Sequence, residues 1–283
     1  MDIDSNKAKA FFQLALDKTF SKASKSLGIS QPALSQKIAR LEDELEVSLV
    51  IRTGREIALT DFGLELVRYY QTKIQLDNSF LGAISHKNAE TFGSINIAGY
   101  SSITTSVIIP IIATINDSFE GFQFKILSKE IYDLYDTFKS GEVDFIIGTN
   151  EVKRENVVNV PIGVEENIHI RPLNNSNSDL PFLDHDADDS TTFDFFKIQK
   201  INRTFRRCYL DDIYGIIKGV ENGIGQAIVS KHLVKNNQKV KRFRYSKKME
   251  TKIYFSYLKK VYYPKLHLKL IDKIIENFQS HLR

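Results

Sequence analysis

The chain has 283 residues, of which 42% are hydrophobic and 26% charged, and its formal net charge is +4. That length calls for two or three folded units of globular composition, and no apolar run is long enough to cross a bilayer. The polar start MDIDSNKAKA has no apolar signal core and Cys208 is the only cysteine, so neither an intrachain disulfide nor secretion is expected, and the reducing cytoplasm is the expected compartment.

Residues 1–88 read as almost all helix, whereas residues 93–283 alternate β-rich and helical runs. Ala8, Phe11, Phe12, Ala15 and Leu16 recur at helical spacing and define a first helix. Thr19 suits the N-cap of a short second helix with Phe20, Ala23 and Leu27 facing inward, and Gly28 permits a sharp turn after it. Ser30 caps a third helix that tolerates Pro32 in its first turn and buries Leu34, Ile38, Leu41 and Leu45. The opposite face carries Gln31, Ala33, Ser35, Gln36, Lys37 and Arg40.

Two short helices joined by a glycine turn, the second polar and basic on its outer face, form a helix-turn-helix. Gln pairs bidentately with adenine, Ser meets several base edges, and Arg and Lys satisfy guanine or phosphate. Taken alone, such a face also fits the solvated side of an amphipathic helix. The stretch after it supports the first reading, because Leu49 to Leu59 reads as two short strands around a Thr-Gly turn, with Arg52 and Arg55 flanking the tip of a wing. Thr60-Asp61 then begins a helix that runs to about Ser85.

The stretch from Phe20 to Gly63, FSKASKSLGISQPALSQKIARLEDELEVSLVIRTGREIALTDFG, resembles the N-terminal signature of the LysR-type transcriptional regulators. The matching positions are Phe20, Ala23, Leu27, Ser30 to Ser35, Ile38, Leu41, Glu42, Leu45, Leu49, Arg52, Leu59, Thr60 and Gly63. Three positions depart from the family pattern: Glu46 replaces the usual Gly, Val50 the usual Phe, and Ser24 a common second Ala. The resemblance implies double-stranded promoter DNA as partner, with the third helix in the major groove. Gln31, Pro32, Ala33, Ser35, Gln36, Lys37 and Arg40 would face DNA together with Arg52 and Arg55 of the wing. Ser35 and Gln36 are the candidate base readers, and Lys37 and the wing arginines are candidate phosphate anchors.

Along the long helix, Phe62, Leu66, Tyr69, Lys73, Leu76, Phe80 and Ala83 form a heptad seam, flanked by a second apolar stripe. Dimerisation through Phe62, Leu66, Tyr69, Leu76 and Phe80 is expected, as the resemblance also implies; tetramers occur among relatives, and RNA polymerase is a further partner implied by the family.

From Ser94 the β–α alternation resembles the family's effector domain, two α/β subdomains built like a type II periplasmic binding protein. The expected divisions are 1–61 for the winged helix-turn-helix and 62–90 for the linker helix. The effector domain takes 91–283, with subdomain I spanning 91–161 and 248–283 and subdomain II spanning 162–247. Effector contacts are expected where strands end and helices begin: Ser101, Ser102, Ser128 and Thr149. Asp211 or Asp212 offers a carboxylate to a cationic ligand or, alternatively, a helix N-cap.

The acidic run DHDADDSTTFD at 184–194 lacks the glycine and distal Glu of a calcium loop and reads as a solvated surface loop. Residues 239–283 are strongly basic, with runs at Lys239–Arg244 and Lys247-Lys248; the alternation of Ile253, Phe255 and Tyr257 behind those runs reads as a sheet strand with solvated neighbours, and the alternative is a nucleic-acid surface. No phosphate loop, nucleophile elbow or metal-ligand spacing is present, so no catalytic residue, metal or cofactor beyond a small-molecule effector is expected. The chain therefore reads as a regulator, with a redox-responsive or effector-independent regulator of the same architecture as the alternative.

Overall fold

The computed structural model describes residues 5–53, 56–85, 94–116, 123–174, 179–260 and 263–282, except for the side chains of residues 52, 53, 75, 78–85 and 116. The chain divides into two compact units. The first comprises residues 1–95, 119–124 and 136–144, and the second the remainder.

The first unit begins with α1 (Ser5–Asp17), α2 (Phe20–Leu27) and α3 (Gln31–Leu45). Thr19 and Ser30 hold the N-cap positions of α2 and α3, their hydroxyls accepting from the backbone N–H of Lys22 and Ala33. Gly28 ends α2 at φ 65°, a left-handed conformation that glycine adopts without steric cost. Phe11, Leu14, Ala23, Leu34, Ile38 and Leu41 close a core between the three helices.

The wing follows as β1 (Val50–Thr53) and β2 (Glu56–Leu59), antiparallel in register Val50 to Leu59. It is tied to α3 by Glu42, whose carboxylate accepts from the N–H groups of Leu49 (2.7 Å) and Val50 (3.2 Å). Helix α4 (Asp61–Ser85) starts at Thr60, whose hydroxyl accepts from Gly63 N–H and donates to the Ser48 carbonyl. A Cβ on Gly63 would lie 2.2 Å from the Leu49 carbonyl oxygen, so only glycine allows α4 this close to the wing.

The second unit is built on a sheet with strand order β10-β6-β11-β5-β3-β4, and β9 pairing with β6. In chain order these and the intervening elements are β3 (Ser94–Gly99), α5 (Ser101–Ile103), a π-helical turn (Thr104–Ile108), α6 (Ile109–Asn116), β4 (Gln123–Ser128), α7 (Asp133–Lys139), β5 (Phe145–Gly148) and β6 (Val157–Pro172). After them come β7 (Phe182–Asp184), α8 (Thr191–Gln199), β8 (Arg207–Tyr209), α9 (Ile213–Glu221), β9 (Ala227–Ser230), a 3₁₀ turn (Lys231–Val234), β10 (Val240–Phe243), β11 (Met249–Leu258) and α10 (Lys265–Leu282).

Two strands run through both halves of this sheet. β6 and β11 pair antiparallel from Asn167 with Met249 to Val157 with Leu258, and their register shifts between Ile253 and Tyr254. Within β11, Tyr254 to Tyr257 pair with β5 as well as with β6. Beyond the shift, β6 pairs with β9 and β10. The far half buries Ile170, Leu183, Ile216, Val220, Val229 and Val240 against α9, and a second cluster of Phe182, Phe195, Phe196 and Ile228 beneath α8.

The acidic run holds an exposed loop, as composition suggests, at Asp186 to Asp188, but its first residue is buried. Asp184 ends β7 only 2% exposed, paired with the Arg207 guanidinium and accepting from the Thr192 hydroxyl. Arg207 also donates to the carbonyls of Ala187, Asp186 and Asp189, which fixes the loop between β7 and α8. Within the basic run, Val240–Phe243 is the strand β10, with Lys241 and Arg242 exposed.

Candidate functional site

Two features carry chemistry, one in each unit. In the first, capping by Ser30 and the buried stripe Leu34, Ile38 and Leu41 set the rotation of α3. This leaves Gln31, Pro32, Gln36 and Arg40 exposed and Ala33, Ser35 and Lys37 half-buried. Gln31, Pro32 and Ser35 meet Phe20 around a shallow pocket at the start of the helix. The polar outer face expected from the sequence is thus one continuous surface. Arg55 lies outside the described residues, as does the side chain of Arg52.

On α4 the expected dimer seam splits. Phe62, Tyr69 and Leu76, seven residues apart, are 60%, 46% and 44% exposed. Leu66 is 6% exposed and packs into the core of its own unit beside Val67, so it is not free to meet a partner. A heptad count assigns both columns to one seam, but the helical domain already covers the column holding Leu66. The Phe80 side chain lies outside the described residues.

In the second unit a cleft of about 510 Å³ opens beside β6. Ser101, Ser102 and Thr149 line it as expected. Ser128 does not: it is exposed at the end of β4, and alternation along the chain turns the next residue, Lys129, toward the cleft instead. Asp212 takes the capping role, accepting from Gly215 N–H at 2.8 Å at the start of α9.

Sequence reading missed the buried carboxyl group of the cleft. Glu165, on β6, is 5% exposed; its Oε2 accepts from the Tyr100 hydroxyl at 3.0 Å. Its Oε1 meets no donor in hydrogen-bond geometry: the nearby Ser230 hydroxyl donates to Asn167 Oδ1 at 3.3 Å instead, and the Nδ1 of His232 lies 3.7 Å away. Burial pushes the Glu165 carboxyl above its ordinary range, while the hydroxyls of Ser230 and Tyr100 pull it back. Burial likewise depresses His232 to about 4, so its imidazole is neutral at neutral pH and supplies no counter-charge. The Tyr100 hydroxyl is raised well above 10, by burial and then by the neighbouring Glu165.

The rim is acidic. Asp186, Asp188 and Asp189 come from the loop that Arg207 fixes, and Glu130 from the segment after β4; among the described lining residues Lys129 is the one lysine. Asp186 accepts from the N–H groups of Asp188 and Asp189. Burial works to raise Asp189, but the Thr191 hydroxyl and the N–H groups of His185 and Thr191 outweigh it and hold the carboxyl below its usual range. Among the described residues, no group of His, Cys, Asp and Glu is arranged to hold a metal ion, and no helix is long and apolar enough to cross a membrane.

Residues 5–64 match the family described as bacterial regulatory helix-turn-helix protein, lysR family. Among curated proteins, the uncharacterized HTH-type transcriptional regulator YfeR of Shigella flexneri is 28% identical over 145 residues, covering 51% of this chain and 47% of that protein. YybE of Bacillus subtilis, another uncharacterized HTH-type transcriptional regulator, is 30% identical over 149 residues, covering 52% and 51%. The chain thus matches about half the length of these relatives. The solved full-length LysG of Corynebacterium glutamicum with bound effector Arg shares the fold at a TM-score of 0.74 and 16% identity, covering 98% of this chain and 99% of that one. Residues 5–64, with their capped α3 and wing, thus match the helix-turn-helix of the LysR-type regulators, and the chain as a whole shares the fold of a solved full-length regulator of that type.

Proposed function

We propose that this chain binds promoter DNA as a dimer, acts in the cytoplasm, and changes its DNA affinity when a small molecule occupies the cleft beside β6. The observation that carries the reading is the outward polar face of α3, which holds Gln31, Gln36 and Arg40 exposed above a fixed glycine turn. In this reading α3 lies in the major groove, with Ser35 and Gln36 on base edges and Gln31, Pro32 and Ala33 against the groove wall. Lys37, Arg40, Arg52 and Arg55 hold phosphates. Residues 1–61 read DNA, 62–90 join two copies through Phe62, Tyr69 and Leu76, and 91–283 sense the effector. Within the last, 91–161 with 248–283 and 162–247 form the two subdomains, and Ser101, Ser102 and Thr149 supply hydroxyls to the ligand. RNA polymerase is the partner through which such a dimer acts on transcription.

The test is fluorescence anisotropy of the full chain on duplex from its own promoter region and on scrambled duplex, across a salt series. Preference of about 10³-fold or more is expected, with affinity falling steeply as salt rises. Gln36→Ala is expected to erode the preference while leaving scrambled binding unchanged. Equal affinity for both duplexes would refute the reading.

A further inference from the structure

We infer that the cleft takes a small organic cation, an amine or guanidine, whose charged nitrogen donates to the Oε1 of Glu165. The inference rests on the effector-cleft reading above and deepens it by naming the ligand class. Its first support is the unfilled oxygen: Glu165 is 5% exposed, lines the cleft, and keeps one carboxylate oxygen without a donor in hydrogen-bond geometry, the neighbouring Ser230 hydroxyl being directed at Asn167. A buried carboxylate oxygen left unpaired is costly, and an ammonium or guanidinium group satisfies both its charge and its lone pairs.

The second support is that the neighbours do not already neutralise this charge. Tyr100 donates to the other oxygen. His232, at 3.7 Å, is held neutral by burial. Lys231, next along the chain, pairs with Glu166 on the opposite face of β6. The third support is the sign of the rim, where Glu130, Asp186, Asp188 and Asp189 face one Lys129. An anion entering this cleft meets repulsion at the mouth, whereas a cation is drawn in there and, at the floor, favours the ionised form of Glu165 that burial alone disfavours. A metal ion fits less well, because no described cluster offers a set of ligands.

The experiment uses the full chain and measures thermal shift and calorimetric affinity at millimolar ligand. Putrescine and arginine represent the cations, 1,4-butanediol and citrulline their neutral counterparts, and glutarate and benzoate the anions. At least one cation is expected to raise the melting temperature by several degrees and to bind about tenfold or more tightly than its neutral counterpart. Glu165→Gln, which keeps the shape of the side chain, is expected to abolish that difference, and Glu166→Gln to preserve it. Should Glu165→Gln fail to fold, the comparison of arginine with citrulline on the unaltered chain decides the matter. Binding of an anion or a neutral compound in preference to the cations overturns the inference but leaves the effector cleft standing. If no compound of any charge changes melting temperature or DNA affinity, both fall.

Discussion

Lowering the pH is a direct probe of the aromatic cluster beneath α8, because a neutral histidine is built into it. His169 is 4% exposed, stacked on Phe243 at 5.1 Å between ring centroids, with Phe182 at 5.4 Å. Its tautomer follows from Gln226. The Gln226 amide nitrogen donates to the Leu180 carbonyl at 2.6 Å, so its Oε1 faces the imidazole and accepts from Nε2–H at 2.9 Å. Nδ1 then accepts from the Tyr245 hydroxyl at 2.9 Å. Burial first, and the nearby Arg171 and Arg203 charges after it, lower the imidazole from 6.5 to about 4, against the Gln226 bond that favours the charged form.

Because the folded value lies below the unfolded one, protons favour the unfolded chain. The stability is fully present above about pH 6.5 and is lost as pH falls toward 4. Integrating between those values, His169 accounts for a loss of roughly 2 kcal/mol between pH 7.5 and pH 5, and of about 3 kcal/mol in all. His232 is lowered to about 4 as well and adds to the same slope, so the site-specific assay is NMR titration of the His169 ring. Its resonance is expected to hold its neutral position down to about pH 5. In urea denaturation, His169→Gln is expected to be less stable at pH 7.5 yet to lose less on acidification. A ring that titrates near 6.5, or a variant with an unchanged acid slope, would refute the assigned tautomer and its cost.

Glu46 ends α3 at φ 56°, where a side chain is strained, its N–H directed at the Asp43 and Glu42 carbonyls. Glu46→Gly is therefore expected to raise the stability of the first unit by about 0.5–1 kcal/mol, net of glycine's extra freedom when unfolded, as read by urea denaturation. On α4, joint replacement of Phe62, Tyr69 and Leu76 by Ser is expected to give folded monomers in sedimentation. Leu66→Ala is expected to destabilise the unit by about 2–5 kcal/mol through a core cavity, without acting on association directly.

Local grammar was legible wherever one residue decides one local conformation. The Thr19 and Ser30 caps, the Gly28 turn, the wing and the start of α4 all follow from short-range chemistry. The family's usual glycine at the position of Glu46 is explained by the left-handed φ found there. What escaped depends on distant partners. Asp184 looked solvated because its partner Arg207 stands 23 residues away. Leu66 looked available because periodicity identifies an apolar column but not the surface that covers it. Ser128 was placed one residue too early for the cleft, since alternation reverses at each step.

Glu165 is the instructive case, because a signal for it was present. Two successive carboxylates, Glu165 and Glu166, stand inside a strand-like run, and strand geometry sends one to each face. Glu166 reaches solvent and pairs with Lys231, so its neighbour turns inward. The residue opposite is Thr251, and the ladder between β6 and β11 slips its register only two residues further on. An inward carboxylate with one oxygen unpaired is a poor way to stabilise a sheet and a good way to recognise a cation. The same side chain thus separates two accounts of the cleft, because a purely structural Glu165 predicts that Glu165→Gln stabilises the chain and changes no ligand's affinity, whereas a recognition role predicts loss of cation binding whatever happens to stability.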